Sequence, residues 1–187
     1  MRIITGKAKG IVLKTPQGET TRPTADRVKE AVFSMLQFDI EDRSILDLFA
    51  GSGQMGLEAL SRGAAEAIFV DKSKDAIKAI NENIAKTKLS DNAKVYQSDY
   101  LDYIRRNEGK KFDIIIIDPP YALGKYKPSL KALIDFDMLK PTTFIVCESG
   151  TDEIFDGDKS LEDAFFVAKQ TKYSKTFITI LQPKAKV

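Results

Sequence analysis

Residues 44–56 read SILDLFAGSGQMG, an apolar strand pattern that runs directly into a glycine-rich turn. The strand pattern covers Ser44 to Phe49, and Gly51 and Gly53 then let the backbone turn sharply and approach a ligand closely. Gln54 to Ser61 have helical spacing, and the first turn of such a helix presents free N–H groups. This order predicts one half of a βαβ unit with a ligand site at the carboxyl end of the strand.

Strand and helix patterns alternate through the rest of the chain. FDIIII, from Phe112 to Ile117, is apolar on both faces, which predicts a strand in the middle of a parallel sheet. Further strands are predicted at Ala67–Val70, Lys94–Gln97, Thr143–Cys147, Phe165–Gln170 and Lys175–Leu181, and further helices at Ala25–Leu36, Lys74–Lys86 and Tyr100–Asn107. We therefore expect an α/β, Rossmann-like fold: a mostly parallel seven-stranded sheet with helices on both faces.

The composition excludes several classes of chemistry. The 187 residues include no histidine and a single cysteine, Cys147, so Ser-His-Asp or Cys-His catalytic pairs, His-ligated metals and zinc ribbons are absent. Catalysis must then use carboxylates, lysines, hydroxyls, backbone groups or a cofactor, and we expect no metal. The lone cysteine and the basic, non-apolar first ten residues predict a cytoplasmic protein.

Positive charge is concentrated at the two ends of the chain. The net charge is only +2, but residues 1–22 carry +4 and residues 169–187 carry +5, which leaves −7 between them. Residues 2–5 and 11–14 predict a β-hairpin, so we expect one domain with an N-terminal extension (residues 1–22) and a catalytic core (residues 23–187). Basic ends are typical of proteins that contact a polyanion, although they also serve solubility.

Two carboxylates near the glycine turn indicate the type of cofactor. Asp71 ends the second predicted strand twenty residues after Gly51, where a carboxylate can accept both hydroxyls of a ribose. Asp47 lies just inside the first strand, where it would repel a pyrophosphate and attract a cation. This favours S-adenosylmethionine, which carries an ammonium and a sulfonium, over a dinucleotide.

A nicotinamide-dependent dehydrogenase is the alternative from another class. Gly51-x-Gly53-x-x-Gly56 with Asp71 matches the dinucleotide fingerprint, and Tyr121-x-x-x-Lys125 offers a tyrosine and lysine pair. However, the two prolines before Tyr121 and the glycine before Lys125 make the helix needed to align that pair improbable.

Two further loops follow predicted strands. Asp99 can accept a hydrogen bond from an adenine amino group, or it can act as the N-cap of the helix that begins at Tyr100. Asp118-Pro119-Pro120-Tyr121 ends the central strand, and its prolines can direct the Asp118 carboxylate and the Pro119 carbonyl into a cleft. Two fixed acceptors can hold an exocyclic amine for attack on a methyl group, while Tyr121 stacks on the base.

These motifs together resemble a known family. LDLFAGSGQMGLEALSRGA (46–64), Asp71, Asp99 and DPPY (118–121) resemble the class I S-adenosylmethionine-dependent amino-methyltransferases. RIITGKAKGIVL (2–13) and TRPTADRVKEAVFSML (21–36) resemble the start of the bacterial RsmD family of 16S ribosomal RNA guanine-N2 methyltransferases. Gln54 and Met55 stand where relatives often have Ala-Leu, and Tyr121 stands where they often have Phe.

The resemblance implies an activity and a set of site residues. It implies methyl transfer to a guanine N2 amino group of 16S ribosomal RNA, bound alone or in the small ribosomal subunit. We expect a monomer, and no membrane partner, because no stretch reaches the ~18 apolar residues of a transmembrane helix. The implied cofactor residues are Asp47, Phe49, Gly51, Gly53, Asp71, Asp99 and Tyr100, and the implied catalytic residues are Asp118, Pro119 and Tyr121. The implied RNA-binding residues, expected near the cleft, are Arg2, Lys7, Lys9, Arg22, Thr24 and Arg27. The basic C-terminal end adds Lys172 as a further RNA-binding candidate.

Two rivals remain besides the dehydrogenase. An adenine-N6 methyltransferase acting on RNA or DNA would use DPPY in the same way, and only the resemblance of the N-terminal residues favours guanine. An RNA-binding protein without catalytic activity would explain the basic ends alone.

Overall fold

The computed structural model describes residues 1–16, 23–119 and 124–184, with only the backbone described for residues 23–25. Within these ranges seven strands form one sheet in the order β3-β2-β1-β4-β5-β7-β6. The first five strands run parallel, and β7 is antiparallel to both β5 and β6. The strands are β1 (Ser44–Asp47), β2 (Glu66–Asp71), β3 (Ala93–Gln97), β4 (Phe112–Ile117), β5 (Leu139–Ser149), β6 (Phe165–Tyr173) and β7 (Thr176–Pro183).

The α-helices of the described residues cover both faces of the sheet, which confirms the predicted fold class. Buried side chains of the first three helices share one core, and those of the last three share the other. The helices are α1 (Pro23–Met35), α2 (Gln54–Ser61), α3 (Lys74–Thr87), α4 (Tyr100–Arg106), α5 (Tyr126–Asp135) and α6 (Lys159–Ala164). None of the helices in the described ranges is both long and apolar enough to cross a membrane.

The central strand explains how these cores divide. Ile114 and Ile116 of β4 pack with α1 and α2, whereas Ile115 and Ile117 pack with α4 and α5. Successive side chains of a strand point to opposite faces, so an apolar run of this kind must be covered on both sides. β4 accordingly lies fourth of the seven strands.

Two helices escaped the sequence prediction. α5 begins just after Gly124 and contains Pro128 as its third residue, and both residues obscure a helical pattern. A proline in the first turn is tolerated because the N–H that it lacks has no partner within the helix there. α6 has only six residues, too few for a clear periodicity.

The predicted N-terminal hairpin is present but short, and it is packed against the core. Its two arms form a single antiparallel bridge between Arg2 and Val12. Ile3, Ala8 and Leu13 are buried in the same core as α1 and α2. The hairpin is therefore held in place by the helices beneath it.

Candidate functional site

Four carboxylates lie in one row at the carboxyl edge of the sheet. Asp71 ends β2 and Asp47 ends β1, while Asp99 follows β3 and Asp118 follows β4. These four strands are neighbours in the order β3-β2-β1-β4. With neighbouring strands about 4.8 Å apart, the row spans roughly 15 Å. The connections reverse direction at β1, and such a switch point is where open α/β sheets bind their ligands.

The glycine turn between β1 and α2 has a backbone that requires glycine. Gly51 has φ of 54° and Gly53 has φ of 77°, in the left-handed region that other residues avoid. The Gly53 N–H donates to the Ala50 carbonyl at 2.6 Å, and the Ala50 N–H donates to the Val70 carbonyl at 3.0 Å. The turn is thus fixed to the end of β2, on the side where Asp71 lies.

Asp71 holds this turn in place. One carboxylate oxygen accepts the Gly51 N–H at 2.9 Å, and the other accepts the Ser73 N–H at 2.8 Å. This bracing role was not foreseen, because the sequence suggested only ribose contacts. A carboxylate oxygen has two lone pairs, so each can still accept a hydroxyl from a ligand.

Asp47 lies beneath the turn, with 2% of its surface exposed. Burial raises the pKa of its carboxyl to about 7, because the charged form loses hydration. The N–H groups of Phe49 and Gly56 oppose this shift, and the charge of Asp71 adds to it. Close to neutral pH, this carboxyl group therefore changes its charge.

We expect Asp47→Asn to remove a pH dependence of stability. Because the folded pKa is raised above the unfolded value, the native state binds more protons between about pH 4 and pH 7, and stability falls as pH rises through that window. In urea unfolding, the free energy of unfolding of the wild type should fall between pH 4 and pH 8 by on the order of 3 kcal/mol more than that of Asp47→Asn. Parallel pH profiles for the two proteins would contradict this.

An aromatic pair lies beside the turn. The rings of Phe49 and Tyr100 have centroids 5.0 Å apart and tilted by 40°. Lys125 places its ammonium 5.0 Å from the Tyr100 centroid and 5.9 Å from that of Phe49. Burial raises the pKa of the Tyr100 phenol, and the Asp99 charge adds to this effect. Lys125 at this position was not foreseen, because only the packing of α5 against α4 brings it there.

Asp99 is the N-cap of α4. Its Oδ1 accepts the Leu101 N–H at 3.0 Å. This confirms the prediction that Asp99 caps the helix. The other carboxylate oxygen can still accept a hydrogen bond, so the contact with adenine stays a prediction.

Asp118 and Pro119 follow β4 directly, next to the end of β1. The Leu48 N–H donates to the Ile116 carbonyl at 3.1 Å, which continues the contact between the two strands. Pro119 is buried and Asp118 is half-buried. Tyr121, Arg22 and the side chain of Thr24 lie outside the described residues.

The five described basic candidates are all exposed, but they do not form one cluster. These residues are Arg2, Lys7, Lys9, Arg27 and Lys172. The Lys7 N–H donates to the Ser61 carbonyl at 2.8 Å, at the carboxyl end of α2. α2 runs from the glycine turn back to the opposite edge of the sheet, a length of about 12 Å. Lys7 and Lys9 therefore lie away from the cleft, contrary to the expected location.

The other basic candidates lie nearer the cleft edge. Lys29 pairs with Glu58 and Phe33 stacks with Arg62, so α1 runs alongside α2 in the same direction, with Arg27 near the starting end. Lys172 lies in β6, opposite Phe177 of the neighbouring strand β7. β6 is the third strand from β4 in the sheet. That separation is roughly 14 Å.

A buried charged group fixes the hairpin to α2. Glu58 is fully buried, and its carboxylate accepts the N–H groups of Ile4 at 2.8 Å and Thr5 at 3.0 Å. Lys29, also fully buried, lies 3.5 Å from Glu58 and donates to the Arg2 carbonyl. Burial lowers the pKa of Lys29, and the charge of Glu58 opposes that shift. Sequence reasoning missed this group, although a glutamate within the apolar stretch LEAL was a signal for it.

Comparisons with known proteins agree with this architecture. The model of the family described as Conserved hypothetical protein 95 matches residues 1–182. YlbH of Bacillus subtilis, named as a candidate rRNA methyltransferase, is 37% identical over 98% of this chain and 100% of its own. Ribosomal RNA small subunit methyltransferase D of Haemophilus influenzae is 34% identical over 82% of this chain and 80% of its own. The solved structure of yhhF from Escherichia coli, described as a candidate methyltransferase, is 30% identical with a TM-score of 0.86 and covers 100% of this chain and 99% of its own.

Proposed function

The chain belongs to the family described as Conserved hypothetical protein 95, the RsmD family, and from this premise we propose that it transfers a methyl group from S-adenosylmethionine to the exocyclic N2 of a guanine in 16S ribosomal RNA. Its relatives in Bacillus subtilis and Haemophilus influenzae are named for the methylation of ribosomal RNA. Such an enzyme needs a cofactor site and an amine site side by side, and the edge of the sheet offers both.

One observation carries the proposal: Asp71 ends β2 and Asp118 follows β4, the two strands that flank β1. The glycine turn, which follows β1, lies between them. Asp71 and Asp118 are two strand spacings apart, so a ribose held by Asp71 and an amine held by Asp118 would be separated by roughly 10 Å. Placing two reactants in contact removes much of the entropic barrier to their reaction.

The residues at the edge fit S-adenosylmethionine. The left-handed turn at Gly51 and Gly53 lets a ligand approach the backbone, and Asp71 and Asp99 offer acceptors for ribose and adenine. Asp47, once ionised, would stabilise a neighbouring cation in a buried setting. The cofactor supplies an activated methyl group.

The amine is handled by Asp118 and Pro119. We propose that the Asp118 carboxylate and the Pro119 carbonyl each accept one hydrogen from the exocyclic amine. With both hydrogens held, the nitrogen can become pyramidal and direct its lone pair at the methyl group. Tyr121 would stack on the base. No histidine is required, because the amine proton can leave once the methyl group has been transferred.

A decisive experiment identifies the methylated nucleoside. The protein is incubated with labelled S-adenosylmethionine and small ribosomal subunits that lack the modification, and the digested RNA is examined by mass spectrometry. We expect N2-methylguanosine. N6-methyladenosine would favour the rival methyltransferase, and no labelled nucleoside would overturn the proposal.

Titration calorimetry tests the cofactor independently of the RNA. S-adenosylhomocysteine should bind, and a nicotinamide dinucleotide should not. The reverse outcome would assign the chain to the dehydrogenases.

We further propose that the protein acts as a monomer on 16S ribosomal RNA or the small ribosomal subunit, and that the exposed lysines of the hairpin contact RNA beyond the cleft. A guanine must leave its stack to reach the edge of the sheet, so we expect an unpaired base as the target. The cytoplasmic location expected from the sequence stays a prediction.

Replacing both Lys7 and Lys9 with Ala should weaken binding to the small subunit and reduce its salt dependence. Each phosphate contact contributes about 0.9 to the slope of log K against log salt, so the slope should fall by about 2 in magnitude. Because both lysines lie at the opposite edge from the cleft, a short RNA around the target guanine should bind as before. Lys159→Ala, in α6 on the other face, is the matched control. If the slope of log K against log salt for subunit binding were unchanged, these lysines would not contact RNA and would serve only solubility.

A further inference from the structure

Asn83 is a fully buried amide in α3 that joins the N-terminal segment to the glycine turn. Its Oδ1 accepts the Lys14 N–H at 2.8 Å. Its Nδ2 donates to the Lys14 carbonyl at 2.9 Å and to the Ser52 carbonyl at 2.8 Å. Both amide hydrogens are thus used, and each goes to the backbone of a different segment.

The bond to Ser52 determines the orientation of the glycine turn. Ser52 lies between Gly51 and Gly53, and its carbonyl shares one planar peptide unit with the Gly53 N–H. That N–H donates to the Ala50 carbonyl at 2.6 Å. A donor from Asn83 therefore fixes the direction of both groups in a turn whose glycines could otherwise adopt several conformations.

The bonds to Lys14 fix the end of the hairpin. One side-chain amide pairs with both backbone groups of Lys14, much as a neighbouring strand would. The Lys14 side chain is 65% exposed, and it pairs with Glu82 at 2.6 Å. Arg2, whose backbone pairs with the other arm of the hairpin, and Arg27 of α1 are exposed as well. Asn83 thus connects the exposed, basic N-terminal segment with the turn that we assign to the cofactor.

We propose that Asn83 is a positioning residue that couples RNA binding at the N-terminal segment to cofactor binding at the glycine turn. When RNA holds the segment, the amide is held in the orientation that fixes Ser52, so the turn is already ordered for the cofactor. By linkage, the cofactor must strengthen RNA binding by the same factor. The inference rests on the proposed function, since it needs both ligands.

The test measures the affinity for S-adenosylhomocysteine with and without saturating small ribosomal subunits that lack the modification. We expect RNA to tighten cofactor binding by about fivefold or more in the wild type. Asn83→Asp keeps the side-chain volume and the acceptor for the Lys14 N–H but loses both donated hydrogen bonds. The ratio of the cofactor affinities with and without RNA should therefore fall towards one in this variant. Lys14→Ala should weaken RNA binding and keep the ratio, because its backbone contacts remain.

Asn81→Ala is the matched control. Asn81 lies on the exposed face of the same helix and donates to the Ile77 carbonyl one turn earlier. It should retain the wild-type ratio. A ratio of one in the wild type, or a full ratio in Asn83→Asp, would overturn the inference while the proposed function stands. Failure of the wild type to bind either ligand would instead count against the proposed function.

A measurement on the wild type alone keeps the inference testable if the Asn83 variants do not fold. Hydrogen exchange of the Lys14 N–H reports on the bond to Asn83. S-adenosylhomocysteine alone should slow this exchange, although Lys14 lies outside the glycine turn. Protection confined to the turn, with Lys14 unchanged, would show that the two segments are not coupled.

Discussion

Asp118→Ala should lower the rate of methyl transfer by about 10²–10³-fold, the loss typical when one preorganised hydrogen-bonding group of a transition state is removed. Asp118 follows the central strand β4, next to the glycine turn, where its carboxylate can accept a hydrogen of the target amine. Without that acceptor, the nitrogen keeps its conjugation with the base and its lone pair is less available. The rate should be measured under single-turnover conditions with labelled S-adenosylmethionine and unmodified small subunits.

Binding measurements separate this role from a structural one. The affinity of Asp118→Ala for S-adenosylhomocysteine and for RNA should stay close to that of the wild type, since neither ligand depends on this acceptor alone. Asp118→Asn keeps one oxygen acceptor and should lose less activity. In contrast, Asp71→Ala should lose cofactor affinity, because Asp71 braces Gly51 and Ser73. Undiminished turnover in Asp118→Ala would remove Asp118 from catalysis.

Glu58→Gln should lower the free energy of unfolding by about 3–5 kcal/mol, the usual effect of removing one partner from a buried ion pair. Lys29 would then lie in the core 3.5 Å from a neutral amide, with the partly exposed Asp26 at 3.9 Å as its remaining counter-charge. Arg62, 2.9 Å from Glu58, would lose its carboxylate partner as well. The two backbone N–H groups of Ile4 and Thr5 would also share one acceptor oxygen instead of two. The measurement is urea unfolding at neutral pH.

Two variants define the origin of that loss. Glu82→Gln removes the pairing with Lys14 at the surface, where solvent screens an ion pair, and should change stability little. Combining Lys29→Met with Glu58→Gln removes the buried ammonium together with its buried partner and should recover part of the stability. A loss in Glu58→Gln no larger than that in Glu82→Gln would show that the buried pair does not hold the hairpin in place.

The glycine turn and the carboxylate that braces it could be predicted because their signals are local. Gly51 and Gly53 indicate their turn without reference to any distant residue, and the spacing to Asp71 follows from one βαβ unit. The same holds for β4, whose unbroken apolar run requires cover on both faces. α5 was missed for the converse reason, since Gly124 and Pro128 weaken its local pattern.

The direction of the hairpin could not be predicted in this way. Its basic residues were expected at the cleft, but the turn with Lys7 and Lys9 is fixed to Ser61 at the far end of α2. Gly6 shows how closely the two segments meet, because a Cβ there would lie 1.7 Å from the Ser61 carbonyl oxygen. Nothing within residues 1–16 identifies that partner, which lies more than fifty positions away.

The sequence by itself determined the sheet, the glycine turn and the family, because backbone conformation and the alternation of apolar residues are properties of neighbouring positions. The tertiary structure alone decided which buried polar groups meet: Glu58 with Lys29, and Asn83 with Lys14 and Ser52. It also decided the pKa of Asp47, since a carboxyl is shifted by its burial and not by its position in the chain. A buried polar side chain must be satisfied by some partner, but which one depends on how separate segments pack.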